Sequence, residues 1–161
     1  MKSKFIKLFS DIASRTAEMS SAKRLKVGAI IVKDDRIISL GYNGMPAGWD
    51  NNCEYKDYAP NSDCTESDHE YPLKDEQGQY RLKTRPEVLH AEMNALMKLA
   101  KSTESGENAS LFITHAPCLE CAKGIYQSGI KEIYYREQYR STSGLEFLQN
   151  CGINITKVSD V

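Results

Sequence analysis

His90-Ala91-Glu92 and, downstream, Pro117-Cys118-Leu119-Glu120-Cys121 are the stretches around which this chain of 161 residues is organised. They supply one imidazole, two thiols and one carboxyl group. Cys118 and Cys121 are three residues apart, so on a helix they would share one face. Pro117 fits a helix start, and the first turn of a helix favours thiolate over thiol. The spacing therefore predicts a metal site with His90, Cys118 and Cys121 as ligands and Glu92 beside them.

The two motifs together match the signature of zinc-dependent nucleobase deaminases. A catalytic zinc keeps three protein ligands and leaves its fourth position for water, whose pKa falls to about 7. Glu92, which is not a ligand in this pattern, would move protons between that water and the substrate. A redox pair or half of a structural zinc site would also contain C-x-x-C. A structural site needs a fourth Cys or His, and the nearest in sequence, His115, is expected at a strand end that lines the pocket.

The composition is that of an ordinary globular protein, with 40% hydrophobic and 27% charged residues. The length indicates a single domain over residues 1–161. The formal net charge of −1 argues against a nucleic-acid partner, which usually requires a basic face. No apolar run reaches membrane-spanning length. The five cysteines, with no signal-peptide pattern at residues 1–7, favour a reduced, cytoplasmic protein.

Apolar periodicity predicts helices that alternate with short strands. The predicted helices cover residues 5–13, 90–101, 118–128 and 145–150, and the predicted strands cover residues 27–32, 37–42, 111–114, 130–135 and 153–155. The strand, helix and strand between Leu111 and Ile133 should form a parallel crossover. These elements predict an α/β fold with three layers, α/β/α, around a five-stranded mixed sheet.

Residues 49–85 interrupt this alternation. They are rich in Asn, Asp, Glu, Lys and Tyr, and they predict an irregular insertion with some local structure over one face, with a lid as one interpretation. Cys53, Cys64 and His69 lie within it. Because their spacing matches no fixed ligand pattern, free cysteines and a surface histidine are favoured over a second zinc site.

Further motifs carry a resemblance to a known family. Gly41-Tyr42-Asn43-Gly44-Met45-Pro46, the run from His90 to Ala95, and the run from Pro117 to Lys123 resemble the deoxycytidylate (dCMP) deaminases, which have a cytidine-deaminase-like fold. The resemblance covers nearly all of the chain outside residues 49–85. It implies hydrolysis of dCMP to dUMP and ammonia, which supplies dUMP for thymidylate synthesis. It also implies Zn²⁺ bound by His90, Cys118 and Cys121, with Glu92 as the catalytic proton shuttle.

The resemblance also assigns candidate substrate contacts. In related deaminases the asparagine that ends the second strand contacts the sugar, which assigns Asn43 to the substrate, although Asn-Gly alone is typical of a turn. Ser21, Lys26 and Arg140 match the groups that bind the substrate phosphate. Tyr139 resembles a tyrosine that closes over the pyrimidine. The remaining candidates around the pocket are Ala91, His115 and Ala116.

Many family members are homohexamers that dCTP activates and dTTP inhibits, with Mg²⁺ bound to the nucleoside triphosphate. By this resemblance Gly41, Tyr42, Gly44 and Asn94 would lie near an effector site at a subunit contact. Some members bind a second zinc through a histidine two residues before the catalytic one, but Val88 stands there in this chain. Two other functions stay open at this point. They are deamination of another cytosine nucleoside, nucleotide or nucleic-acid base, and a non-catalytic zinc module.

Overall fold

The structure of the protein, a computed structural model, describes residues 1–60 and 67–160. The strands in these ranges are β1 (Gly28–Lys33), β2 (Arg36–Tyr42), β3 (Glu54–Tyr58), β4 (Leu73–Asp75), β5 (Gly78–Thr84), β6 (Ser110–His115), β7 (Glu132–Glu137) and β8 (Asn154–Lys157). The helices are α1 (Ser3–Ala17), α2 (Ser67–Glu70), α3 (Ala91–Ala100), α4 (Leu119–Gln127) and α5 (Ser143–Asn150), and a 3₁₀ turn covers Val158–Asp160. None of the described helices has the length and hydropathy required to cross a bilayer.

The main sheet has five strands in the order β2-β1-β6-β7-β8. Strand β1 is antiparallel to both β2 and β6, whereas β6, β7 and β8 run parallel. The central strands β1 and β6 are buried along almost their whole length, because they carry continuous apolar runs that suit a sheet covered on both faces. The predicted five-stranded mixed sheet and its parallel crossover are confirmed.

Helices cover both faces of this sheet. On one face Phe9 of α1 packs in a cluster with Ile30 and Phe112. Side chains alternate between the two faces along a strand. Ile31, which follows Ile30, and Leu111, which precedes Phe112, therefore lie on the other face and belong to a second cluster. Helices α3, α4 and α5 contribute to that second cluster Leu96, Ile125 and Leu148. Full burial of one such apolar side chain contributes about 1.5–3 kcal/mol to the stability of the fold. Because helices cover both faces of the sheet, the predicted three-layer architecture is confirmed.

Gly28 brings α1 close to the sheet. A Cβ atom at this position would lie 2.2 Å from the carbonyl oxygen of Ala13 and 2.5 Å from the nitrogen of Ala17, both backbone atoms of α1. We therefore expect Gly28→Ala to lower the free energy of unfolding by about 2–3 kcal/mol, measured by urea denaturation. Gly44→Ala is the matched control, since nothing lies within 4 Å of that Cβ position, and its expected change is below about 0.5 kcal/mol. Equal stability of the two variants would contradict this packing.

The insertion contains a second, antiparallel sheet with the strand order β3-β5-β4. The sequence predicted an irregular insertion with some local structure, and in the described part that local structure is a regular sheet. Besides the backbone ladder, ion pairs and ring contacts link the strands of this sheet, and none of their described residues belongs to the buried apolar clusters. Asp57 binds Arg81 with an N–O distance of 2.7 Å, and the rings of Tyr58 and Tyr80 lie 5.6 Å apart. Strands β3 and β4, with the sequences EYKDY and LKD, lack the apolar alternation by which sequence analysis finds a half-buried strand.

The insertion cysteine that the structure describes is part of a small apolar cluster. Cys53 is a free, fully buried cysteine packed with Ala22 and Val88, and Met45 lies against them. His69 is exposed in α2, and Cys64 lies outside the described residues. Within the described residues, the group of His, Cys, Asp and Glu donors that could hold a metal ion does not include Cys53.

Candidate metal centre and active-site cavity

Two helix starts bring the three predicted ligands together. His90 is the N-cap residue of α3, Cys118 is the N-cap residue of α4, and Cys121 lies in the first turn of α4. The Nδ1 atom of His90 lies 3.3 Å from Sγ of Cys121 and 3.6 Å from Sγ of Cys118. Pro117 therefore precedes the cap and does not occupy the first helical position that its sequence context suggested.

These distances fit a tetrahedral zinc site. Zinc binds sulfur at about 2.3 Å and nitrogen at about 2.0 Å, which places the two donor atoms about 3.6 Å apart in a tetrahedron. The donor atoms of all three side chains lie within 4.8 Å of one another. Within residues 1–60 and 67–160, no fourth His, Cys, Asp or Glu joins this group. Three protein ligands with an open position are typical of a catalytic zinc and not of a structural one.

The two cysteines have opposite electrostatic environments. Hydrogen bonds from Cys121 and His90 lower the pKa of Cys118 to about 3. The hydrogen bond with Cys118, together with burial, raises the pKa of Cys121. The hydrogen bond with Cys118 also raises the pKa of His90. A metal ion that binds all three groups would release the protons they share, because thiolate and neutral imidazole are the ligand forms.

Glu92 lies beside the ligands in the first turn of α3. Its side chain is buried, with 4% of the residue exposed, and it contacts the thiol of Cys121. Burial raises the pKa of Glu92 to about 7. A carboxyl group with such a pKa can both accept and donate a proton near neutral pH, which general acid–base catalysis requires.

A cavity of about 900 Å³ opens beside this centre. His90, Cys118 and Glu92 form part of its lining. Six of the predicted substrate residues also line it: Asn43, Ala91, His115, Ala116, Tyr139 and Arg140. The cavity is large enough for a small organic molecule, so the site can present such a ligand to a metal-activated water and a buried carboxyl group.

Comparison with known proteins identifies the family. The profile of the cytidine and deoxycytidylate deaminase zinc-binding region matches residues 3–137. The chain is 34% identical over 166 residues to the deoxycytidylate deaminase of Enterobacteria phage T4, an alignment that covers 91% of this chain and 86% of the relative. This chain belongs to the deoxycytidylate deaminase family. The family membership that the motifs predicted is thus confirmed.

Two further members of the deoxycytidylate deaminase family extend the comparison. The crystal structure of dCMP deaminase from cyanophage S-TIM5, in complex with dCMP and dUMP, matches with a TM-score of 0.78 and 39% identity, covering 98% of each chain. The deoxycytidylate deaminase of Homo sapiens is 35% identical over 129 residues, which are 79% of this chain and 61% of that protein. The fold therefore has a counterpart in a solved structure of the family.

Two of the predicted phosphate contacts do not line the cavity of this deoxycytidylate deaminase family member. Ser21 donates a hydrogen bond through Oγ to the carbonyl of Asn51, at 3.0 Å. Lys26 is exposed and lies outside the cavity lining, to which the same loop contributes Arg24. Asn43 helps to fix the loop that carries Arg24 and Lys26, because its side-chain amide binds the backbone on both sides of Lys26. Its Nδ2 donates to the carbonyl of Leu25 and its Oδ1 accepts from the N–H of Val27, both at 2.8 Å.

Sequence reasoning missed three cationic residues of the cavity wall, Arg24, Arg81 and Lys83. Arg81 and Lys83 bind the same oxygen of Asp57, at 2.7 and 3.0 Å. These contacts, that of Lys83 first, lower the pKa of Asp57. Within the described residues, the guanidinium groups of Arg24 and Arg140 form no ion pair with a carboxylate, in contrast to the side chains of Arg81 and Lys83. The alternation of residues 80–84 and the turn residue Gly78 were the available signals for strand β5.

The four predicted effector residues lie outside the cavity lining. Asn94 of α3 donates through Nδ2 to the carbonyl of Tyr42, at 2.8 Å. Gly41 packs against the same helix, where a Cβ atom would lie 2.3 Å from the carbonyl oxygen of Ala91. Gly44 pairs with Leu89 through an isolated β-bridge. The structure thus brings Gly41, Tyr42 and Asn94 together where the edge strand β2 meets α3.

Proposed function

We propose that this protein is a zinc-dependent dCMP deaminase that converts dCMP and water into dUMP and ammonia. The observation that carries the proposal is the cluster of His90, Cys118 and Cys121, beside which the buried Glu92 lines the cavity. Membership of the deoxycytidylate deaminase family and the likeness to a dCMP-bound relative support it. In this reaction the bond between C4 and the exocyclic nitrogen breaks, and a bond between C4 and the oxygen of water forms.

His90, Cys118 and Cys121 would hold the zinc ion. When bound, zinc acts as a Lewis acid and lowers the pKa of water to about 7. Glu92 accepts a proton from the attacking water and donates it to ring nitrogen N3. It then transfers the second proton of the water to the leaving amino group, which departs as ammonia. Because burial raises the pKa of Glu92 to about 7, neither protonation state is costly at neutral pH.

The cavity residues suit a pyrimidine nucleotide. Asn43 retains one amide hydrogen and one lone pair beyond its two backbone contacts, and these can bind the sugar hydroxyl. Tyr139 can cover the ring, while Ala91, His115 and Ala116 complete the pocket around it. For the phosphate we propose Arg24 and Arg140, which form no ion pair with a carboxylate among the described residues, in place of Ser21 and Lys26.

We expect the purified protein to release ammonia from dCMP with a kcat/KM at least about 10-fold above that for deoxycytidine, because hydrogen bonds to a charged group contribute about 1.5–3 kcal/mol. A panel of deoxycytidine, dCMP, dCTP and CMP, assayed for ammonia release, checks this preference. Comparable turnover of deoxycytidine would indicate a nucleoside deaminase. Release of ammonia from single-stranded DNA alone would support a nucleic-acid substrate. No turnover of any cytosine compound by zinc-loaded protein would leave only the non-catalytic zinc module.

Regulation and assembly form a separate part of the proposal. We propose a cytoplasmic homohexamer that dCTP activates and dTTP inhibits, each as its Mg²⁺ complex, and that supplies dUMP for thymidylate synthesis. The proposed effector residues Gly41, Tyr42, Gly44 and Asn94 lie in or next to the edge strand β2. Leu40 of this strand and Met97 of α3 are 38% and 51% exposed, which suits a subunit contact. Effector titrations of the dCMP assay and sedimentation analysis test these points independently of the reaction itself.

A further inference from the structure

The insertion sheet contacts the loop that carries Arg24, and it does so through one cross-strand pair. Glu54 of β3 and Thr84 of β5 lie directly opposite each other in the antiparallel ladder. Oε1 of Glu54 accepts hydrogen bonds from the backbone N–H groups of Lys23 and Arg24, at 2.8 and 3.0 Å. Oγ1 of Thr84 accepts a hydrogen bond from Nη1 of Arg24, at 2.9 Å. The same pair therefore binds both the backbone and the guanidinium group of Arg24.

The side chain of Glu54, through which the first contact is made, is buried in the protein interior. Glu54 is 3% exposed, and its donors among the described residues all bind Oε1, since the buried Oε2 has no hydrogen-bond partner there. A buried carboxylate needs such donors to offset the cost of burial, so the two backbone N–H groups at Oε1 carry that compensation. Two backbone donors to one oxygen give charge-assisted bonds, which are shorter and stronger than neutral ones. Asn43 fixes the other end of the loop through Leu25 and Val27. The backbone around Arg24 is thus fixed on both sides.

The contact through Thr84 orients a side chain that would otherwise be mobile. An arginine side chain carries about 2 kcal/mol of rotamer entropy, and fixing it before the ligand arrives lowers the entropic cost of binding. Thr84 is a neutral acceptor, so it directs the guanidinium without neutralising its charge. Arg81 and Lys83 in the same wall differ, since both are bound to the carboxylate of Asp57. The guanidinium group of Arg24 is thus held in a fixed orientation at the cavity wall, without an ion-pair partner among the described residues.

We propose that the insertion sheet is a positioning device for Arg24, in which Glu54 fixes its backbone and Thr84 its guanidinium group, so that the arginine is prearranged for the substrate phosphate. This inference rests on the proposed dCMP deaminase function. Glu54 and Thr84 are positioning residues, because the proposal has them act on the ligand through Arg24. Thr84 itself belongs to the cavity lining, whereas Glu54 does not. The proposed positioning of Arg24 gives the insertion a function that its sequence did not reveal.

Steady-state kinetics of Thr84→Val tests the inference, because valine removes the acceptor and keeps the shape of an exposed strand residue. We expect the KM for dCMP to rise about threefold to tenfold, kcat to change less than twofold, and kcat/KM for deoxycytidine to stay the same. Thr84→Ser should restore the KM, since it restores the hydroxyl. Thr103→Val, in an exposed bend outside the cavity lining, is the matched control with unchanged kinetics.

A double-mutant cycle with Arg24→Ala separates positioning from a general structural effect. Arg24→Ala should raise the KM for dCMP more than Thr84→Val does, and Thr84→Val should add less than twofold in the Arg24→Ala background. Glu54→Ala should act like Thr84→Val, and Glu54→Gln, which keeps one acceptor oxygen, should retain most of the affinity for dCMP. Urea denaturation of each variant identifies any that is not folded.

Three results would overturn the positioning role. The first is a Thr84→Val effect that is equal for dCMP and deoxycytidine. The second is an effect of Thr84→Val that persists in full without Arg24. The third is an Arg24→Ala variant that still prefers dCMP over deoxycytidine as strongly as the unmodified protein. In each of these cases the unmodified protein still deaminates dCMP, so the proposed function stands. Only failure of the unmodified, zinc-loaded protein to turn over dCMP would contradict that function.

Discussion

Replacement of Glu92 by Gln is expected to lower kcat for dCMP by about 10³- to 10⁴-fold, towards the upper limit for loss of a general acid–base group, while the protein keeps one zinc per chain. Glutamine preserves the size of the side chain but cannot transfer a proton. Because Glu92 is not among the three clustered ligands, its replacement leaves the metal donors intact. Ammonia release and elemental analysis of the same sample measure the two properties together.

The buried position of Glu92 adds a second expectation. Burial raises the pKa of this carboxyl group, which means that the folded protein disfavours its charged form. A neutral glutamine has no such penalty, so Glu92→Gln should unfold in urea at the same midpoint as the unmodified protein or at a higher one. An inactive variant of undiminished stability with bound zinc would assign the loss to proton transfer and not to misfolding.

Glu120→Gln is the matched control for this experiment. Glu120 also lies in the first turn of a helix, but it is exposed and paired with Lys123 at an N–O distance of 2.7 Å. An exposed pair of this kind contributes little to stability, so the activity of Glu120→Gln should stay within twofold. Substantial turnover by Glu92→Gln, or an equal loss in both variants, would contradict the proposed role of Glu92.

The sequence predicted the main fold well and the insertion poorly, for one physical reason. Strands β1 and β6 are buried on both faces, so their apolar, β-branched residues form runs that are visible in the sequence. Strands β3, β4 and β5 are mostly half-buried or exposed. They are stabilised by contacts such as the pair of Asp57 and Arg81, which depend on cross-strand register. A charged pair 24 residues apart has no local pattern.

In the candidate site, the sequence likewise predicted one group of residues, the metal ligands, and missed another, the cations around the cavity. The metal ligands occupy fixed positions at two helix starts, so a motif of a few residues identified His90, Cys118 and Cys121. The cations around the cavity come from separate segments, and nothing local distinguishes Arg24 from Lys26 in the basic run that ends at Lys26. That choice is made by tertiary hydrogen bonds that backbone N–H groups of the loop donate to the side-chain oxygens of Glu54 and Asn43. The sequence therefore predicted the chemistry of the centre but not which side chains surround the ligand.

Replacement of Cys121 by Ala is expected to abolish both zinc binding and deamination. Cys121 is 2% exposed in the first turn of α4, and its Sγ is the donor atom nearer to Nδ1 of His90. Without it, His90 and Cys118 are left as two ligands, and Cys118 lacks the hydrogen bond that contributes most to its low pKa. Elemental analysis after dialysis should find less than about 0.1 zinc per chain, and ammonia release from dCMP should fall below detection.

Stability under a chelator extends this test, because a ligand that binds only the folded state stabilises it. Chelation should lower the free energy of unfolding of the unmodified protein, by about 2.7 kcal/mol where free zinc had been 100 times its Kd. The same treatment should leave Cys121→Ala unchanged. Cys151→Ala is the matched control, since Cys151 is a free, partly buried cysteine that caps α5 away from the centre, and it should retain zinc, activity and the response to chelator. A Cys121→Ala protein that keeps a full zinc complement would contradict the three-ligand centre.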